Sequence, residues 1–325
     1  MPFRKQKFAN RGLAFVFGGL SVASTSLLMG IITIVQQKFP GEFTLTSNPN
    51  MQASWWSDKH DNYIEHCHVK HKFSDSLLNQ CLGQEARSSG QPIGYLIGDS
   101  NARNYLIAAK KAFPRMKVKY LTMGHGCAFL PDNMISKKID DNVDCVMYSR
   151  TTAKYILTAA KPGDIVFIGQ SLAGSRHGAR AVPAYFDHIK AMASSLHQKH
   201  IPIVLFDGTY PVSQLPELCS KEVWRPFPDP AGCQKTAEEA KQAYSKFDHM
   251  AEHLAANTKN VFYAPLRLGL CFDGICGQNS KLGTPIWHDS THISETASGE
   301  LHTLLRSELT ADGLLTYIDA GKRLR

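Results

Sequence analysis

From residue 91 onward, short apolar runs alternate with helix-length segments. Residues 93–97 read as a strand and 102–113 as the helix that follows. A second strand is expected at 118–122, a helix at 152–160 and a third strand at 165–168. In the helix expected over 183–199, Ile189, Met192, Ala193 and Leu196 recur at i, i+3, i+4 and i+7, the spacing of one buried face. A fourth strand falls at 203–206, and the five prolines within 208–232 mark an ordered loop insertion. Residues 236–256 are polar and strongly helical, 261–264 form a short fifth strand, and a last helix covers 298–309. That helix places Leu301, Leu304, Leu305 and Leu309 on one face. Fully apolar strands alternating with helices predict an α/β fold: a parallel sheet covered by helices on both faces. Such folds place their sites at the carboxyl ends of the strands.

Upstream the pattern changes. Residues 36–91 are polar and irregular and read as a stalk and cap. Residues 13–35 are 23 positions without a charge, long enough to cross a hydrocarbon core about 30 Å thick. A cleaved signal peptide would have an apolar stretch of about 7–15 residues followed by small residues. Here Ile31, Ile32, Ile34 and Val35 stand in their place, which favours a retained transmembrane anchor. Arg4, Lys5, Lys7 and Arg11 precede it, so 1–12 is expected in the cytoplasm and the rest of the chain outside. The expected organisation is a basic segment (1–12), an anchor (13–35), a stalk (36–91) and one catalytic domain (92–325).

Composition refines this picture. Of 325 residues, 43% are hydrophobic and 20% charged, which excludes wholesale disorder. The net charge of +8 invites a search for an acidic partner. Yet the four basic residues before the span and Lys322, Arg323 and Arg325 in the tail account for most of it. The body is nearly neutral, which argues against a nucleic-acid groove. Eight cysteines, all beyond the span, suit an exported, disulfide-bonded domain. Neighbours are expected to pair in order: Cys67–Cys81, Cys127–Cys145, Cys219–Cys233 and Cys271–Cys276.

The first expected strand ends in Gly98-Asp99-Ser100, and a helix follows at once. A serine there meets backbone N–H groups and a helix dipole that favour developing negative charge. This suits a nucleophile, although Asp99 or Ser100 can equally serve as a helix cap. The complementary piece is Asp289-Ser290-Thr291-His292, before the last helix. A serine nucleophile needs a base, and the base needs an orienting acid. One turn brings Asp289 to His292; His288 competes for the role of base. His60, His66, Cys67, His68 and His71 form a dense group, read as a solvated loop in preference to a metal site. Trp55, Trp56, Tyr63 and Trp224 are candidate sugar-stacking rings, though aromatics more often serve the core. Arg176, His177 and Arg180 read as a solvated basic loop. Without a Gly-rich phosphate loop, nucleotide use is not indicated, and no cofactor is expected.

Gly98-Asp99-Ser100 after an apolar strand and Asp289-x-x-His292-Ile293-Ser294 before the final helix resemble the motifs of SGNH hydrolases. More narrowly, with Cys271 and Cys276 just upstream, the chain resembles the exported SGNH domain fused to membrane acyltransferases of family 3. Those enzymes O-acetylate bacterial surface polysaccharides. The resemblance spans about residues 91–310. It implies a three-layer, flavodoxin-like α/β/α fold and a triad of Ser100, His292 and Asp289. It further implies an acyl-serine intermediate, a polysaccharide acceptor and a periplasmic location at the inner membrane. Deacetylation by the same triad, or glycan binding for a partner enzyme, are the rival readings.

Two departures stand out. The family supplies a Gly and an Asn to the oxyanion hole. Gly126, in Gly124-His125-Gly126-Cys127, is the candidate for the first; where the Asn belongs, this chain has Gly169-Gln170-Ser171, which makes Gln170 the candidate. The Ser100 N–H is the third expected donor. The fused enzymes also carry a many-spanning domain, whereas one span is visible here. Pro2-Phe3-Arg4 resembles the end of that domain, so a separate multi-spanning acyltransferase is the expected source of the acyl group.

Overall fold

The computed structural model describes residues 26–27, 67–69, 72–83, 91–124, 127, 129–131, 142–171, 181–210, 212, 232–289 and 291–322. Ser26 and Leu27 are helical. All other described residues belong to one unit, formed by 50–219 and 228–325. The expected span, 13–35, otherwise lies outside the described residues. Among those described, no helix is long and apolar enough to cross a membrane.

The elements of this unit run in the order β1 (His68–Val69), α1 (Asp75–Leu82), β2 (Ile93–Asp99), a 3₁₀ helix (Ser100–Tyr105) and α2 (Leu106–Ala112). Then come β3 (Lys117–Met123), α3 (Asn142–Ala159), β4 (Ile165–Gly169), α4 (Ala181–His197) and β5 (Ile203–Phe206). The rest are β6 (Lys235–Thr236), α5 (Ala237–Gln242), α6 (Ser245–Asn257), β7 (Val261–Ala264), β8 (Ile275–Cys276), α7 (Glu295–Glu300), α8 (His302–Ala311) and α9 (Leu314–Lys322).

Six strands form a wholly parallel sheet in the order β1-β3-β2-β4-β5-β7. Strands β2, β4, β5 and β7 are buried along their whole length, as a sheet covered on both faces requires. Helix α2 packs with α7 and α8, while α3 and α6 pack against α4. The order reverses at β2, whose neighbours are β3 and β4. That switch point is where open α/β sheets leave a crevice beyond the strand ends.

All five expected strands are present, with bounds shifted by no more than two residues. The helix expected over 236–256 is broken into α5 and α6. A capping box starts it: Thr236 Oγ1 accepts from Glu239 N–H, and Glu239 accepts from Thr236 N–H. Part of the segment read as stalk belongs to the sheet. Strand β1 pairs with β3, His68 opposite Thr122, and Cys67–Cys81 ties it to α1. Cys127–Cys145 and Cys271–Cys276 are also bonded. Cys233 is in a disulfide too; Cys219 lies outside the described residues.

The 3₁₀ helix sits unusually close to the strands it follows. Gly98 has φ +134°, a conformation that side chains resist. A Cβ there would lie 1.8 Å from the Gly169 carbonyl oxygen, and one on Gly169 would lie 2.5 Å from Ala102 Cα. Tyr148, from α3, seals the same point: its oxygen accepts from Gly98 N–H at 2.9 Å and lies 2.8 Å from the carbonyls of Gly98 and Leu121. Gly98→Ala should therefore destabilise the domain by about 2–4 kcal/mol in urea unfolding. Gly277→Ala, where a Cβ meets nothing within 4 Å, should stay within about 0.5 kcal/mol. Equal effects would refute this account of the close approach.

Candidate active site

Ser100 leaves the end of β2 as the first residue of the 3₁₀ helix. Asp99 is the cap. Its Oδ1 accepts from Asn101 N–H at 2.8 Å, and its Oδ2 accepts from Ser171 N–H at 2.9 Å, just past β4. One carboxylate thus joins the exits of both strands at the switch point and fixes the backbone at Ser100. Asp99 is fully buried. Desolvation pushes its pKa up to about 6, against the lowering effect of those N–H groups and of His292.

Asp289 and His292 stand in a tight turn between the bridge partners Trp287 and Ile293. Asp289 Oδ1 accepts from the N–H groups of Thr291 (2.7 Å) and His292 (2.8 Å), and Oδ2 lies 2.7 Å from His292 Nδ1. The three-residue spacing is what lets one carboxylate hold both the turn and the ring. Burial works to raise the Asp289 pKa, but the bond and charge of His292 and the two backbone N–H groups outweigh it. They hold the carboxyl well below the usual range. With Nδ1–H given to Asp289, a neutral His292 presents Nε2 as its proton acceptor. His288, the competing base, is exposed; the carboxylate goes to His292.

Ser100, Asp289 and His292 line a single cavity of about 200 Å³. His292 Nε2 is buried there without a hydrogen bond, so the bond that would close a triad to Ser100 is not made. Nucleophile–base bonds commonly tighten only when substrate is present. The arrangement provides a hydroxyl at a helix start, an oriented imidazole and an ionised acid. That is the equipment for acyl transfer through a serine ester.

A family model described as "SGNH domain (fused to AT3 domains)" matches residues 66–307. The chain belongs to this SGNH-domain family. Among solved structures, the periplasmic domain of a lipopolysaccharide acetyltransferase from Salmonella ser. Paratyphi A matches with a TM-score of 0.56 at 12% identity, covering 80% of this chain and 97% of that one. Fainter likenesses are an acetyl xylan esterase, AlAXEase (TM-score 0.38, 10% identity, 66% and 98% covered), and a GDSL-like lipase from Bacteroides thetaiotaomicron (0.37, 11%, 78% and 98%). No curated protein matches the sequence.

Other expected residues of the SGNH domain fare differently. Gly126, Arg176, His177 and Arg180 lie outside the described residues, as do His60, His66 and His71. Gln170 is buried but does not line the cavity. Its Oε1 accepts from Phe129 N–H at 2.9 Å, and its Nε2 has no partner. The side chain is drawn to the segment after β3, so an oxyanion role for Gln170 has no geometric support. Several lining residues were not foreseen, among them Asn104, Leu106, Ile107 and Glu295. His68 reaches the cavity because β1 joins the sheet, with its Nδ1 2.9 Å from Thr122 Oγ1. Arg103 lines it from the 3₁₀ helix. Among the described residues, no group of three metal-ligating side chains occurs.

The two carboxylates should titrate far apart. In a carboxyl-carbon NMR titration, Asp99 should show a midpoint near pH 6, and Asp289 one well below the usual carboxylate range. The sign for stability follows. A raised folded pKa means that Asp99 favours the folded state most below about pH 4. That contribution weakens as pH rises to about 6 and is constant beyond. Asp289, with a depressed pKa, contributes fully above about pH 4 and loses its contribution below. An ordinary midpoint near pH 4 for both groups would contradict these environments.

Proposed function

We propose that this SGNH domain is a serine-dependent O-acyltransferase of bacterial surface polysaccharide, transferring a small acyl group such as acetyl. The supporting observation is the Asp289–His292 pair in one cavity with Ser100 at a helix start. In this reading Ser100 Oγ attacks the donor's ester carbonyl while His292 Nε2 takes its proton. The tetrahedral oxyanion is met by the Ser100 N–H, with Gly126 as a second candidate donor. Collapse returns the proton from His292 to the leaving alcohol and leaves acyl-Ser100. A sugar hydroxyl then gives its proton to His292, attacks the acyl carbon, and releases Ser100 as the proton returns to Oγ. Water in place of the sugar gives hydrolysis by the same steps.

The cavity supports a small acyl group. At about 200 Å³, with Leu106 and Ile107 beside His68, Arg103, His288 and Glu295, it falls below the usual range for drug-sized ligands, about 300–1,000 Å³. The acetyltransferase likeness supports a polysaccharide acceptor and a periplasmic site of action. The charge-free segment 13–35 supports anchoring to the inner membrane, with a separate multi-spanning acyltransferase supplying the acyl group. Ser100→Ala should abolish labelling by a serine-reactive fluorophosphonate and reduce turnover of p-nitrophenyl acetate by about 10³-fold or more. Added glycan should divert acyl groups from water to sugar in the unaltered protein. Turnover and labelling unchanged by Ser100→Ala would overturn the proposal, and hydrolysis indifferent to every glycan would reduce it to an esterase.

A further inference from the structure

The nucleophile and base of the proposed triad belong to distant parts of the sequence, so their separation depends on what joins the two segments. Thr209, just past β5, and Asn104, in the 3₁₀ helix that begins at Ser100, are 2% and 4% exposed. Thr209 Oγ1 lies 2.8 Å from the Thr291 carbonyl and 2.9 Å from Asn101 Oδ1, two acceptors for its one proton. It also accepts from Asn104 Nδ2 at 3.2 Å. Asn104 Nδ2 lies 3.3 Å from Asn101 Oδ1, and Asn104 Oδ1 accepts from Ile293 N–H at 3.2 Å. The carbonyl before His292 and the N–H after it are therefore both held by one buried cluster. That cluster stands on the helix carrying Ser100.

We infer that Thr209 and Asn104 are positioning residues that set the distance between His292 and Ser100 by gripping the backbone on either side of His292. This rests on the triad reading above. The cluster is itself anchored. Tyr244 Oη donates to the Thr209 carbonyl at 2.6 Å, and Tyr105, at the end of the 3₁₀ helix, donates to Asp207 Oδ1 at 3.1 Å. Neither Thr209 nor Asn104 takes up or gives a proton in the reaction; the contribution is geometry. Misplacement by about 1 Å of a catalytic group can cost about 10²-fold in rate.

Thr209→Val keeps the shape and removes the hydroxyl. In the full chain, with p-nitrophenyl acetate as probe, it should lower kcat by about 10–100-fold while KM stays near its starting value. Thr209→Ser, which keeps the hydroxyl, should restore kcat. Asn104→Ala frees the Ile293 N–H by another route and should show the same loss in kcat, so the outcome does not depend on one variant folding. Circular dichroism should show each variant folded at the assay temperature. A Thr209→Val protein with unchanged kcat, or a Thr209→Ser protein as impaired as Thr209→Val, would overturn the inference. If wild-type turnover does not depend on Ser100, the triad reading fails and the inference with it. Ser100-dependent turnover indifferent to Thr209→Val and Asn104→Ala defeats the inference alone.

Discussion

The site depends on two missing side chains. Where β2 and β4 run side by side, Gly98 lets the chain turn against the Gly169 carbonyl, and Gly169 lets the 3₁₀ helix lie almost on the strand ends. Any Cβ there would meet backbone, which cannot swing aside. The close approach puts Ser100 at the switch point of the sheet, within reach of the crevice that this topology leaves open. It also sets the position of Asp99, whose two oxygens can then serve Asn101 and Ser171 together. A helix held further out would leave one of those buried N–H groups unpaired, a cost of about 1–3 kcal/mol. The glycine pair and the buried carboxylate are therefore one device.

Two carboxylates feel the charge of His292, and their environments push them in opposite directions. Asp99 is fully buried, and desolvation outweighs its hydrogen bonds. Asp289 is partly exposed and gains a side-chain bond and a charge partner in His292. Opposed shifts of this kind separate roles. Asp99 organises backbone, with burial pushing its carboxyl up to about 6. Asp289 stays ionised and can orient the imidazole and stabilise its charged form.

Much of this was legible because it is local or strictly patterned. The strands 93–99, 165–169, 203–206 and 261–264 are apolar at nearly every position, and only a doubly covered sheet asks for that. The Asp289–His292 pairing was legible because its geometry closes within one turn. The failures are long-range. His68 read as one histidine among several in a polar loop; pairing with Thr122 across the sheet places it in the cavity, and nothing near it in sequence says so. Gln170 has the right place in the chain for an oxyanion donor, but Phe129 N–H holds its side chain and it does not line the cavity. The helix expected over 236–256 breaks at Tyr244, whose ring turns inward to the Thr209 carbonyl and beneath the Arg267 guanidinium. Local helix propensity could not reveal that competition.

Tyr244 shows how far the support of the site extends. Its hydroxyl joins the Thr209 carbonyl and lies 3.3 Å from Ser171 Oγ, so it touches the segments that follow both β5 and β4. Ser171 N–H is the group that Asp99 accepts, and Thr209 Oγ1 is the group that meets Thr291. A continuous chain of hydrogen bonds therefore runs from the cap behind Ser100, through Tyr244, to the turn that carries His292. The first link joins two strand ends, the next two pass through Tyr244 between α5 and α6, and the last reaches the turn at Thr291. A site mounted in this way can hold Ser100 and the turn that carries His292 in register independently of the residues at its mouth.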